Sequence, residues 1–330
     1  MLTWFLSPKS LGLEHDGEHA VHMMANHLAE GYTILETGLE PNFTSSVEIS
    51  TFDKSAYEIK DKEYLAPVVE LGNWANNELS DHLIDFMIHG SLATLDYSKG
   101  WSDFDTFLIV SSKTATNGHA LTELRSKLLI GYEYLLSVDP LQHHGFLLCT
   151  EIDLRRYNES IMPLLVLNTA KSYFGKSTHL MNSYVDPQND RENLKSRSEF
   201  FRNAAVTGVM DHHAYQNVYL KDQYRNAENG LFQFKYLIGN VALAPCYYAG
   251  SIGSPATKPA AIELVKPLLS QHSHTFLENA TRVRSEWQEQ EEFPYSGNEI
   301  PAWVRSIVHP DYLSDLSILL SELESLAESK

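Results

Sequence analysis

The chain has 330 residues, 43% of them hydrophobic, and a formal net charge of −18 at pH 7. That length suggests two or three domains of roughly 100–200 residues with real cores. So acidic a surface argues against long nucleic acid as a partner, because phosphate backbones attract basic patches.

No apolar run approaches a membrane span. The opening Met1-Leu-Thr-Trp-Phe-Leu-Ser-Pro8 lacks the basic start and long apolar core of a signal peptide. Cys149 and Cys246 lie far apart in apolar surroundings. Both are expected as buried thiols, which fits a reducing, cytoplasmic location.

Residues 1–75 read as an N-terminal extension. Asp16 to Ala29 has helical spacing, with Ala20, Met23, Met24 and Leu28 apolar, and Val47 to Phe52 alternates like a strand. His15, His19, His22 and His27 in this stretch could suggest a metal, but they equally fit a solvated helix face. Tyr64 to Ile84 is again helical, with Val68, Val69, Leu71, Trp74 and Leu79 on the apolar side.

A mostly apolar run, Leu83 to Ile88, is short enough for a buried strand and stops at Gly90-Ser91. That pair allows a tight turn and close backbone approach to a ligand. A polar loop follows, with Asp96, Lys99 and Gly100 as turn residues. Ser102-Asp103-Phe104-Asp105 then opens a second apolar strand through Val110. Side chains alternate along a strand, so Asp103 and Asp105 share one face and Phe104 points to the other. Two adjacent carboxylates repel each other unless a cation sits between them. An all-oxygen pair suits a hard ion such as Mg²⁺.

Ser111 to Asn117 is expected as a loop. Gly118 to Val138 is a helix with Leu121, Leu124, Leu128, Tyr132 and Leu135 as its stripe, ended by Asp139-Pro140. His144 to Cys149 is the next strand, which makes a strand–helix–strand crossover on a small mixed sheet. From Glu159 the chain reads almost wholly helical, with helices over Arg191–Met210, Gly230–Ala249, Pro259–His272, His274–Gln290 and Asp311–Ala327. Pro245 is expected to end or kink its helix.

Gly90-Ser91, the intervening loop and Asp103-x-Asp105 entering an apolar strand together resemble the signature of the DNA polymerase β-type nucleotidyltransferase superfamily, over roughly residues 76–160. Phe234 to Gly250, followed by Thr257-Lys-Pro259, is similar to helical domains attached to several members. The resemblance implies an α+β fold: an N-terminal extension over 1–75, a small mixed-sheet nucleotidyltransferase core over 76–160 and a C-terminal helical bundle over 161–330. It implies transfer of a nucleoside monophosphate, with AMP from ATP as the expected case, onto an acceptor hydroxyl with release of pyrophosphate.

On that resemblance, Asp103 and Asp105 are the Mg²⁺ ligands, and Gly90 and Ser91 hold the β- and γ-phosphates. The superfamily adds a third carboxylate on the next strand, and here the sequence departs from it. Glu151 and Asp153 are the nearest, and Thr150-Glu-Ile-Asp153 reads better as a helix cap. His144 is the other candidate, as general base or third ligand, against the plainer role of a polar strand entry. Lys235 interrupts an apolar helix and is the preferred cation for the triphosphate, against a lysine lying along the surface; Lys258 is the weaker choice. Asp211-His-His213 does not converge on one ion, since adjacent helix positions face apart.

The acidic surface favours a cationic or neutral small-molecule acceptor. A tRNA 3′ end or a protein is the alternative acceptor, and a degenerate nucleotide-binding sensor or scaffold is the non-enzymatic alternative.

Overall fold

The structure is a computed structural model and describes residues 1–39, 45–139, 145–157, 162–175, 179–182, 187–207, 231–254, 256–290, 300–308 and 311–330. The chain divides into two compact units, Met1–Tyr97 with Ser102–Val185, and Ser98–Trp101 with Asp186–Lys330. No helix among the described residues is long and apolar enough to cross a membrane.

The first unit is α+β. Its N-terminal part comprises α1 (Leu2–Phe5), a 3-10 segment (Pro8–Asp16), α2 (Glu18–Gly38), β1 (Ser45–Glu48), β2 (Ser50–Thr51) and α3 (Lys54–Asp61). Then follow α4 (Ala66–Glu78), β3 (Leu83–Ile88), α5 (Gly90–Thr94), β4 (Thr106–Val110), α6 (Ser112–Ala115), α7 (Gly118–Val138) and β5 (Leu147–Thr150). A 3-10 turn (Asp153–Arg156), α8 (Leu164–Leu167), β6 (Lys171–Ser172) and β7 (His179–Asn182) complete it.

The main sheet has the order β2-β6-β3-β4-β5. β3 runs antiparallel to β4 and β6, while β4 and β5 are parallel and joined through α7. β1 and β7 form a separate antiparallel ladder. On one sheet face Phe86, Ile88, Leu108 and Val110 pack with α2, α4 and α7 through Ala25, Leu28, Val68, Leu71, Leu121, Leu124 and Leu128. By strand alternation Met87, Phe107, Ile109 and Cys149 form the other face, against Val47, Ile49, Tyr157 and Leu167.

The stretch 1–75, expected as an extension, is part of this same unit. Leu2, Phe5 and Leu6 join the helical-face core. Burying a side chain such as Phe5 stabilises by about 1.5–3 kcal/mol. Arg125 on α7 is buried and ties the stretch down. Its Nε donates to Ser10 Oγ at 3.0 Å, Nη2 to the Ser10 carbonyl at 3.1 Å and Nη1 to Glu14 Oε1 at 3.0 Å.

Three local expectations are corrected. Residues 111–117 are not all loop: Ser111 caps α6, its Oγ accepting from Thr114 N at 3.2 Å. The second motif strand begins at Thr106, with Asp103–Asp105 as its lead-in. The stretch after Glu159, expected as almost wholly helical, also holds the short strands β6 and β7, with β6 between β2 and β3.

The second unit is helical beyond Ser98–Trp101. It contains α9 (Pro187–Thr207), α10 (Leu231–Ser251), α11 (Lys258–Val265), a 3-10 turn (Lys266–Leu268), α12 (Gln271–Gln290), α13 (Ala302–Ile307) and α14 (Tyr312–Glu328). α10 packs against α9, α11, α12 and α14. It continues through Pro245, so the proline does not end the helix. An interior proline costs about 3 kcal/mol, and the buried Phe234, Leu237, Val241, Ala244 and Tyr248 of this helix offset it at about 1.5–3 kcal/mol for each large side chain. The helix expected over Pro259–His272 stops at Val265, where Lys266-Pro267 passes into the 3-10 turn.

Candidate active site

β3 ends at Ile88, and His89 continues it in extended conformation at φ −138°. Gly90 then turns at φ +69°, a region that disfavours any Cβ. The turn enters the single-turn helix α5. That helix closes with two bonds, Asp96 N to the Ser91 carbonyl at 3.0 Å and Leu95 N to the Leu92 carbonyl at 3.3 Å. Leu95 occupies the left-handed position at φ 59°, where glycine is usual. Its side chain packs on the helical-face core. Tyr57 also braces α5, its hydroxyl donating to the Leu92 carbonyl at 2.9 Å.

The lead-in to β4 places the second half of the motif. Phe104 is fully buried in the helical-face core, while Asp103 and Asp105 are half-buried. The β3–β4 register pairs Ile88 with Thr106, and His89 N donates to the Asp105 carbonyl at 3.1 Å. This pairing brings Asp105 against the Gly90 turn. A Cβ built on Gly90 would lie 2.9 Å from Asp105 Oδ2. Asp103 Oδ1 is shielded from solvent.

Beside β4, the partners of Phe107 and Ile109 on β5 are Leu147 and Cys149, so that face of β5 is apolar. Glu151 and Asp153 are both engaged elsewhere. Ser112 N donates to Glu151 Oε2 at 2.9 Å. Thr150 N and Oγ1 donate to Asp153 Oδ2 at 2.8 and 2.9 Å, and Asp153 N returns a bond to Thr150 Oγ1 at 3.1 Å. This is the reciprocal cap that the sequence suggested. Position also separates them from the pair. Glu151 follows the C-terminal end of β4, its N donating to the Val110 carbonyl, whereas Asp105 precedes the N-terminal end. The 5 residues of β4 put roughly 17 Å between those ends. Neither carboxylate therefore completes a site with Asp103 and Asp105. Among the described residues no group of three or more His, Cys, Asp or Glu could hold a metal ion. The pair offers two hard oxygen donors, which suit an ion such as Mg²⁺ in kind.

His144 and Asp211-His-His213 lie outside the described residues. Lys235 lies on α10 in the second unit and is buried, so it is not a surface lysine. Lys258 begins α11 and is exposed. His19, His22 and His27 are exposed on α2, as a solvated face requires. Burial pushes the Cys149 thiol well up and the Cys246 thiol up, the latter opposed by the Lys258 charge, so both stay protonated.

Two residues near the motif escaped the sequence. Asp85 sits fully buried inside the strand taken as mostly apolar. Ser172 Oγ donates to its Oδ1 at 2.6 Å and Phe86 N at 2.8 Å, which pins β6 to β3 at a register shift. An acid within an otherwise apolar strand was the available signal. Trp101 is the other. Its ring centroid lies 4.9 Å from Trp287 and 6.2 Å from Phe234, within the second unit.

Compared with known proteins, the chain matches no family model and no curated protein.

Proposed function

We propose that the chain is an Mg²⁺-dependent nucleotidyltransferase that moves a nucleoside monophosphate, AMP from ATP in the expected case, onto a hydroxyl of a small-molecule acceptor. The observation that carries this reading is the close approach of Gly90 and Asp105 across β3 and β4. It joins a phosphate-accommodating turn to a pair of carboxylates on one strand entry, and nucleotidyl transfer needs both.

In the reaction the acceptor oxygen bonds to the α-phosphorus, and the bond from that phosphorus to the bridging oxygen breaks. Pyrophosphate leaves. Bound Mg²⁺ would neutralise charge on the phosphoryl oxygens. Asp103 and Asp105 would hold the ion. Gly90, lacking a side chain, admits phosphate to the backbone, and the Ser91 N–H and hydroxyl donate to the β- and γ-oxygens. His144 is the proposed base for the acceptor proton. The net charge of −18 favours a cationic or neutral acceptor.

The test is pyrophosphate release from ATP and Mg²⁺ over a panel of hydroxyl-bearing acceptors. The Asp103→Ala/Asp105→Ala double variant is expected to lose at least about 100-fold. Equal release from wild type and double variant would refute the assignment.

A second reading, a nucleotide-binding module without turnover, is favoured by the apolar Leu147 and Cys149 beside β4. Calorimetry that shows triphosphate binding, with no pyrophosphate released from any acceptor, would select it.

A further inference from the structure

We propose that Lys171 binds the γ-phosphate of the nucleoside triphosphate, from the strand on the far side of Gly90 from the carboxylates. The proposal rests on the nucleotidyltransferase reading and adds a substrate-binding residue to that site.

Three strands meet at one edge of the main sheet, all within the first unit. β3 ends at Ile88 and passes through His89 into the Gly90 turn. Ile88 pairs with Thr106, the first residue of β4, and also with Lys171, the first residue of β6. Asp105 therefore stands at this edge on one side of the turn, and Lys171 on the other. Adjacent strands lie about 4.8 Å apart. The edge thus presents carboxylate, turn and cation in a row about 10 Å long.

A triphosphate laid along that row meets each group in the order the reaction needs. The α-phosphorus is the atom attacked, and it belongs at the ion-holding end with Asp103 and Asp105. The β- and γ-phosphates then cross the Gly90–Ser91 backbone, and the γ-oxygens come out toward β6. Residues directly opposite on neighbouring strands share a face, so Lys171 lies with Ile88 on the helical face. α5, which begins at Gly90, is on that face too, since Leu92 and Ala93 belong to its core. Asp105 faces the other way by alternation with Thr106, so the triphosphate crosses the sheet edge from one face to the other.

Lys171 is suited to an anion. It is half-buried, and its Nζ donates to Ser50 Oγ at 2.8 Å, a neutral partner. Among the described residues it has no acidic partner. Arg125, Lys127 and Arg155 of the same unit pair instead with Glu14, Glu123 and Glu36. A hydrogen bond to an ionised phosphate is about twice as strong as one to a neutral hydroxyl. The γ-phosphate therefore displaces the serine from the ammonium.

The test uses the full chain, Mg²⁺, and two analogues whose α,β-bridge is methylene, so that no pyrophosphate can leave. These are α,β-methylene ATP and α,β-methylene ADP, and the second lacks the γ-phosphate. By calorimetry, Lys171→Ala should bind the ATP analogue at least about 10-fold more weakly than wild type. Its affinity for the ADP analogue should be unchanged. Lys171→Arg keeps the charge and should hold the ATP analogue to within about 3-fold of wild type. Ser50→Ala removes the neutral partner and leaves the ammonium. It is the control for loosening of the β2–β6 edge and should bind both analogues as wild type does.

The proposal is overturned if Lys171→Ala binds the ATP analogue as tightly as wild type, or loses both analogues equally. It is also overturned if Ser50→Ala weakens binding as much as Lys171→Ala. Should Lys171→Ala fail to fold, Lys171→Gln keeps a polar side chain without the charge and is judged by the same criteria. Wild-type binding of the ATP analogue that Lys171→Ala leaves intact would sink this proposal alone. A wild-type chain that binds neither analogue would sink the nucleotidyltransferase reading and this proposal with it.

Discussion

Gly90 and Asp105 are held so closely that a Cβ on the glycine would lie 2.9 Å from the Asp105 Oδ2. Two demands fall on Gly90 at once, since its φ of +69° is also one that side chains disfavour. Gly90→Ala should therefore cost about 1–3 kcal/mol of backbone strain and displace the carboxylate. Mn²⁺ affinity should fall by about 10-fold or more. Calorimetric melting together with a Mn²⁺ titration checks both. Unchanged Mn²⁺ affinity would mean that Asp105 does not hold the ion in the conformation described.

Gly72 and Gly31 predict opposite signs for the same substitution. A Cβ on Gly72 of α4 would lie 2.4 Å from Cδ1 of Tyr173, whose hydroxyl donates to the Val68 carbonyl at 2.8 Å. The ring is held at both ends and has no room to yield. Gly72→Ala should destabilise by about 1–3 kcal/mol. Gly31, inside α2, meets nothing within 4 Å, so Gly31→Ala should stabilise by about 0.5–1 kcal/mol through helix propensity and lost unfolded-chain entropy. Urea unfolding of the two variants beside wild type decides. The same sign for both would contradict the packing at Gly72.

The elements that could be read from sequence were those whose burial writes a period into the chain. The leucine stripe and Asp139-Pro140 marked α7 from Gly118 to Val138, and an apolar run marked β3 from Leu83 to Ile88. The Thr150/Asp153 cap was legible because a cap is local, its two partners three residues apart. β6 was not legible. A strand of 2 residues has no period, and it exists because Ser172 reaches Asp85, 87 positions away in the chain. The same long-range bond explains why an acid sits in a strand that otherwise looks apolar. The Gly-Ser and Asp-x-Asp halves were visible as motifs. Their contact at Gly90 and Asp105, and the seat of Trp101, depend on tertiary packing that spacing does not encode.

His82 gives a pH dependence whose sign follows from its burial. It lies just before β3, and its carbonyl accepts from Ser111 N at 2.9 Å. Burial holds its pKa below the ordinary 6.5, opposed by Glu123, whose Oε1 is 3.5 Å from Nε2, while Lys127 adds to the lowering and Asp81 opposes it weakly. The unfolded chain takes up this proton near pH 6.5, and the folded chain only at lower pH. The contribution of His82 to stability is therefore intact above pH 6.5 and is lost as pH falls from there toward the folded value. Urea unfolding of wild type and His82→Gln at neutral and mildly acidic pH isolates it. Wild type should lose more stability on acidification than the variant, and parallel losses would show that His82 carries no such linkage.

Asp153 and Glu151 offer a direct test of whether the site holds two carboxylates or three. Asp153 receives two bonds from Thr150, and Glu151 receives one from Ser112 N at the start of α6. Both lie at the far end of β4 from Asp105. As capping groups they should each contribute about 0.5–2 kcal/mol to stability. Asp153→Ala and Glu151→Ala should lower the unfolding midpoint by that amount and leave Mn²⁺ affinity and pyrophosphate release at wild-type levels. A carboxylate that ligated the ion would behave in the opposite way, with a large loss of Mn²⁺ binding. The pair of measurements separates the two roles, because a capping carboxylate acts on folding alone and a ligand acts on the ion.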